Sequence, residues 1–129
     1  GRMSVDGRQV RDWIALMHAA PESPEHQRLF PVYDEVCVLV EERPDEAWEF
    51  ILAVLASDDS TPILETLSAG PLEDLLVQHG TRVIERVEAQ ARRDPRFAGL
   101  LGGVWRNTMP EEVWQRVLQV RDRHGWDEV

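Results

Sequence analysis

The 129-residue chain is acidic, with 24 Asp and Glu against 14 basic residues and a formal net charge of -10. All of those basic residues are Arg, which excludes Lys-dependent chemistry such as Schiff bases and Walker-type phosphate loops. The negative balance opposes general binding to a phosphate backbone, the single cysteine excludes an internal disulfide, and no run approaches the ~20 apolar residues of a membrane span.

At 43% hydrophobic and 29% charged, the composition is that of an ordinary soluble globule, with one domain expected over residues 3–129. Gly1-Arg2 ahead of Met3 reads as a cloning leftover, no secretory pattern opens the chain, and a cytoplasmic location is expected. The charge is uneven: residues 1–65 carry a net -9 and residues 66–129 a net -1.

Taken in order, Asp6 or Ser4 caps a first helix near Gly7–Ala19, with Val10, Trp13, Ile14 and Met17 as its apolar stripe. Pro21 ends it. Ser23-Pro24 is a cap followed by a first-turn proline and opens the second helix. Leu29, Tyr33, Val36, Cys37 and Val40 continue one face to about Glu42, and Pro31 demands either a kink or a later start near Phe30. Cys37 reads as a buried structural thiol. A third helix follows at Pro44–Ala56, with Ala47, Trp48, Ile51, Leu52 and Leu55 inward. Thr61-Pro62 repeats the cap-and-proline start, and Ile63, Leu64 and Leu67 face the core.

The stretch Ser68–Gly80 reads as the organising piece. Gly70 is expected in the left-handed conformation that ends a helix, and Pro71 at the first position of the next. Leu72, Leu75 and Leu76 give that short helix its apolar face, Gly80 stops it, and Thr81 caps its successor. Thr81–Arg93 places Val83, Ile84, Val87 and Ala91 inward. Asp94-Pro95 opens another helix with Phe97, Leu100, Leu101 and Val104 inward, and Gly102-Gly103 lets a neighbour approach closely. Thr108–Glu111 fits a capping box for a last helix faced by Val113, Trp114, Val117, Leu118 and Arg121, which ends at Gly125 with Trp126 folded back as an anchor. No segment alternates like a strand. The expectation is an all-α domain of about seven to eight short antiparallel helices, either a HEAT-like array or an orthogonal bundle.

Three motifs in order, S-A-G-P-L-E-D-L-L (Ser68–Leu76), A-R-R-D-P-R-F (Ala91–Phe97) and L-L-G-G-V-W-R-N (Leu100–Asn107), resemble those of a family of small bacterial proteins described as a domain of unknown function. The resemblance runs from about Trp48 to Trp114. It implies a helical fold, and it carries over no catalytic residue.

Constellations for chemistry are sparse. His18, His26, His79 and His124 are scattered, with no H-E-x-x-H and no paired cysteine, so no metal or cofactor is expected. No nucleophile elbow occurs. Trp13, Trp48 and Trp114 read as core rather than as a ligand cage, while Trp105 and Trp126 lie at helix ends. Among the arginines, Glu88 and Arg92 make a favourable i, i+4 pair and Arg82 can meet Glu85, leaving Arg93, Arg96 and Arg106 less committed. They face solvent or pair with the acidic first half; an anionic-ligand patch is the sharper alternative.

The strongest signal outside the core is acidic: Glu41, Glu42, Asp45, Glu46 and Glu49 around one helix junction, with Asp58 and Asp59 at the far end of the same helix. Part of this serves helix dipoles. The remainder steers a positively charged partner. The expectation is therefore a non-catalytic interaction protein, of the immunity or antitoxin type, that binds a basic protein through this surface. The alternative is a small enzyme or ligand sensor with a site beside Glu73, Asp74 and His79. A homodimer joined through the acidic and Arg-rich halves is a third arrangement.

Overall fold

Prolines and small polar caps set most of the helix starts in the computed structural model, which describes residues 5–124 and Trp126. The described residues are helical, with no strand among them. In chain order they form α1 (Gly7–His18), α2 (Pro24–Leu29), α3 (Pro31–Glu42), α4 (Pro44–Ser57), α5 (Thr61–Leu67), a π-helical turn (Ser68–Leu72), α6 (Glu73–Arg93), α7 (Pro95–Leu101) and α8 (Glu111–Val120).

Three expected caps form. Asp6 accepts from the backbone N–H groups of Arg8 and Gln9, Ser23 from that of His26 at 3.0 Å, and Asp94 from those of Arg96 and Phe97. Each satisfies donors that the first helical turn leaves unpaired, for about 1 kcal/mol. Two other starts differ. Ser60, not Thr61, is the cap position of α5. The capping box at Thr108 does not form, because Pro110 takes the cap position of α8 and has no side chain that can accept. Ser4, the alternative first cap, and Gly125, the expected stop, lie outside the described residues; α8 ends earlier, at Val120.

Pro31 divides what the periodicity ran together. Phe30 stays helical between α2 and α3, and Pro31 starts the new helix. Even so, α3 keeps the phase of α2, whose Leu29 is buried as well. Its buried stripe is Val32, Val36 and Val40, so Tyr33 and Cys37 lie one position around and are exposed. The expected burial of Cys37 is corrected on this ground.

The central stretch also departs from expectation. Gly70 does not break the chain in a left-handed turn. Leu67, Ser68, Leu72 and Glu73 all keep right-handed helical angles, and Pro71 sits inside the run. A proline there lacks an N–H and presses its ring on the carbonyl four residues back; widening one turn to π geometry accommodates both. The boundary expected at Gly80 is found one residue earlier, where two helical segments of α6 meet across a kink at His79. The chain bends at His79 (φ -135°, ψ 26°) and α6 continues to Arg93. Gly80 is needed for packing: a β-carbon there would lie 2.9 Å from Val113 Cγ1 of α8.

Around α6 the core closes. Leu75, Leu76, Val83 and Val87 are fully buried, against Phe50, Ile51 and Val54 of α4 and Val113 and Val117 of α8. Leu16, Phe50 and Val54 join the core although the expected stripes omitted them. Edge-to-face pairs of Trp13 with Phe50 and Trp48 with Phe97 tie α1 to α4 and α4 to α7. Close approach at Gly102-Gly103 is as expected. A β-carbon on Gly102 would collide with the Asp122 carbonyl, and one on Gly103 with the Ser68 hydroxyl and the Trp126 ring. Trp126 anchors the end through Nε1, which donates to the Gly99 carbonyl at 2.7 Å.

Candidate functional site

The acidic residues of the α3–α4 junction do not share one fate. Asp45, in the first turn of α4, receives Arg82 and Arg86 of α6, each at 3.0 Å. Arg82 chiefly, with Arg86, holds its carboxyl below the usual range against a smaller desolvation. Glu46 pairs with Arg43 at 3.2 Å. Asp58 meets His18 at 2.8 Å, and Asp59 lies 3.7 Å from Arg96. Ser60, whose backbone N–H donates to Asp58 Oδ1 at 2.9 Å, and then His18 pull the Asp58 carboxyl down to about 2. Glu41, Glu42 and Glu49 form no ion pair among the described residues. The Arg-rich second half thus meets the acidic first half within one chain.

Two expected arginine pairs are replaced. Arg82 binds Asp45 instead of Glu85, and Glu88 takes a two-pronged contact from Arg116 (2.8 and 2.6 Å) in place of an ion pair with Arg92. Of the arginines read as uncommitted, Arg96 reaches Asp59, Arg106 reaches Glu111 at 3.0 Å, and Arg93 donates to the Gln90 side chain.

Glu73, Asp74 and His79, the alternative ligand set, are not brought together. Glu73 is buried and turned toward the α7–α8 loop. It accepts from the Trp105 backbone N–H at 3.1 Å and from the Asn107 amide at 3.0 Å. The His79 ring hydrogen-bonds the Glu41 carbonyl at 3.0 Å, fastening the end of α3 to the bend in α6. Asp74 alone faces open space. It lines a cavity of about 210 Å³ between α1, α3, the π turn and α6, with Trp13, Tyr33, Cys37, Thr66 and Pro71. Asp74 makes no hydrogen bond or ion pair with another described residue. Desolvation first, and then Glu73, raises its carboxyl above the usual range.

Cys37 and Tyr33 stand at the cavity one helical turn apart. Partial desolvation, then Asp74 and Asp34, push the Cys37 thiol up, which disfavours a reactive thiolate near neutral pH. Cys37 first, then desolvation and Asp74, push the Tyr33 phenol up as well. A larger cavity, about 310 Å³, lies among Leu55, Leu64, Leu100 and Trp126, but its rim charges Asp59 and Arg96 already face one another. No group of three or more His, Cys, Asp or Glu side chains able to hold a metal ion occurs among the described residues.

Sequence reasoning missed the surface beside the cavity. Phe30, Tyr33 and Val38 are each 45–48% exposed, and the Phe30 and Tyr33 rings stack at 5.5 Å. The signal lay in the stripe itself: Leu29, Val32, Val36 and Val40 recur at i, i+3, i+7 and i+11, which leaves Phe30 and Tyr33 outside it. The missed partners of Glu73 had a signal too, since Trp105 and Asn107 belong to the third motif and Glu73 to the first.

No helix among the described residues is long and apolar enough to cross a membrane. Neither the curated proteins nor the solved structures include a match to this chain. A family model matches residues 19–125, most of the chain and all three motifs, and the protein accordingly belongs to the Family of unknown function (DUF6869).

Proposed function

We propose that the protein is a non-catalytic interaction module that docks a basic protein on the outer face of α3. One observation carries this reading. The exposed, stacked rings of Phe30 and Tyr33 stand at the start of α3, and Glu41 and Glu42, which form no ion pair among the described residues, stand at its end. Stacked, half-exposed aromatics supply large contact area at low entropy cost, and such side chains dominate binding energy at interfaces. Those carboxylates favour a partner with basic residues flanking an apolar segment and raise its association rate. Inhibition of a basic enzyme, as immunity proteins and antitoxins perform it, fits this surface. The wider acidic set contributes less than its charge suggests, because Asp45, Glu46 and Asp58 are spent on Arg82, Arg86, Arg43 and His18. The same internal pairing weighs against a homodimer joined through the acidic and Arg-rich halves. We read the architecture as an orthogonal bundle about α6, since α1 packs on α5 and α3 on α6, whereas units of a HEAT-like array touch only their neighbours.

The test is parallel capture from an extract of the source organism on immobilised wild type, Phe30→Ser/Tyr33→Ser, and Glu41→Gln/Glu42→Gln. The expected result is a basic protein held by wild type, lost from the aromatic variant and released from the glutamine variant at lower salt. Capture of acidic proteins alone, or of the same protein equally by all three baits, would refute the reading.

A further inference from the structure

The cavity at Asp74 opens beside Tyr33 and Cys37, so it is continuous with the α3 face. Its walls are mostly apolar and aromatic: Trp13 from α1, Val36 from α3 and Pro71 from the π turn. Asp74 is the one carboxylate lining it and forms no ion pair among the described residues. An uncompensated carboxylate in apolar surroundings is costly unless something positive meets it. Behind desolvation, the charges of Asp74, Asp34 and Glu41 push the Cys37 thiol up, against a hydrogen bond from Tyr33. About 210 Å³ is small beside the roughly 300–1,000 Å³ of sites for drug-sized ligands. It suits a single long side chain.

We infer that this cavity receives one arginine side chain of the basic partner, its stem against Trp13 and Val36 and its guanidinium between the Tyr33 ring and the Asp74 carboxylate. The inference rests on the reading of α3 as the docking face and adds the anchor residue to it. Arginine is favoured over lysine because a planar guanidinium lies flat on an aromatic ring while binding a carboxylate through two N–H groups. The π turn contributes by its width: Pro71 lies on the cavity wall, and a β-carbon on neighbouring Gly70 would meet no atom within 4 Å, so nothing fills the space from that side.

Cys37 supplies the readout, because it is the only cysteine and lines the cavity. The first arm titrates the protein with N-acetyl-arginine methylamide at millimolar concentration, alongside its neutral citrulline counterpart and its lysine counterpart. The rate of Cys37 alkylation and the NMR shift of the Trp13 indole N–H are followed. The arginine compound is expected to slow alkylation and move the indole signal. The lysine compound should do so more weakly and the citrulline compound not at all, and Asp74→Asn should cut the arginine affinity about tenfold or more. Equal responses to arginine and citrulline, or an unchanged response in Asp74→Asn, overturn the inference. The second arm uses the captured complex: Cys37 should be shielded from alkylation in it, and Asp74→Asn should weaken it. A complex that forms through Phe30 and Tyr33 while Cys37 stays as reactive as in the free protein defeats the arginine anchor and leaves the docking face standing. Binding of the arginine compound with capture indifferent to Phe30 and Tyr33 defeats the docking face instead.

Discussion

Glu73 at the start of α6 and Asn107 in the α7–α8 loop, 34 residues apart, are joined at 3.0 Å by the Asn107 amide donating to Glu73 Oε2. The other carboxylate oxygen accepts from the Trp105 backbone. One buried side chain thus fixes a loop that has no regular structure of its own, and it joins the first sequence motif to the third. Asn107 is held at φ 52°, a left-handed conformation that asparagine tolerates better than most residues. Glu73→Ala leaves both donors without their acceptor and is expected to cost about 1–3 kcal/mol, with Glu73→Gln costing less. Asn107→Ala should be worse than Asn107→Gly by about 1 kcal/mol, because only alanine adds backbone strain. Urea titrations with an unchanged slope are the measurement; no shift in midpoint for Glu73→Ala would show that the clamp is ornamental.

Gly80 makes a different kind of close approach, between α6 and α8. A β-carbon would stand 2.9 Å from Cγ1 and 3.1 Å from Cγ2 of Val113. Alanine would gain about 1 kcal/mol of helix propensity but must displace a buried valine, and overpacking costs about 1–3 kcal/mol. Gly80→Ala is therefore expected to destabilise by about 1 kcal/mol net. Val113→Ala alone removes buried methyl groups and also destabilises. In the double variant the two faults offset, so its loss should be smaller than the sum of the single losses. Additive losses in thermal unfolding would mean that the contact is slack.

How much of this was legible depends on what a residue's role consults. Caps at Asp6, Ser23 and Asp94 act within one turn, and the sequence carries them in full. The inward sets of α6 and α7 were legible for the same reason: periodicity reports burial when a helix has one dry face. Pro31, Gly70 and Pro71 were misjudged or left open because each has two local solutions, break or accommodate, and packing chooses. The neighbours on both sides of the π turn keep the chain helical through Pro71, at the cost of one widened turn. Acidic clustering was visible, but its neutralisation was not, since Asp45 meets arginines 37 or more residues away. Exposure of Tyr33 was hidden because it borders the Leu29, Val32, Val36 and Val40 stripe, and periodicity alone does not say where such a stripe ends.

Acid stability should carry the mark of Asp58. Its folded pKa of about 2 lies below the roughly 3.9 of an unfolded aspartate, owing to Ser60, whose backbone N–H donates to the carboxylate, and then to His18. A depressed carboxylate contributes stability that is present above the unfolded value and is lost as pH falls through the folded one. Asp58→Asn should unfold at a lower temperature than wild type at pH 7, and the two curves should converge between about pH 4 and pH 2. A gap that stays constant down to pH 2 would place the effect of the substitution elsewhere.

Asp74 should behave in the opposite sense. Its carboxyl is raised, by desolvation first and by Glu73 second, so the folded state binds the proton more tightly than the unfolded chain does. Such a group adds no penalty below its unfolded pKa; as pH rises through the folded pKa, ionisation costs the folded state increasingly. Asp74→Asn removes the ionisation and is expected to raise the melting temperature at pH 7 but not near pH 3. A carboxylate whose loss stabilises the fold is not retained for folding, and polar groups that cost stability concentrate where a protein binds something. Opposite outcomes from one substitution, a higher melting temperature and weaker capture of the basic partner, are what the arginine anchor requires. A variant that melts lower at pH 7 would instead make Asp74 a structural residue, satisfied by its place in the first turn of α6.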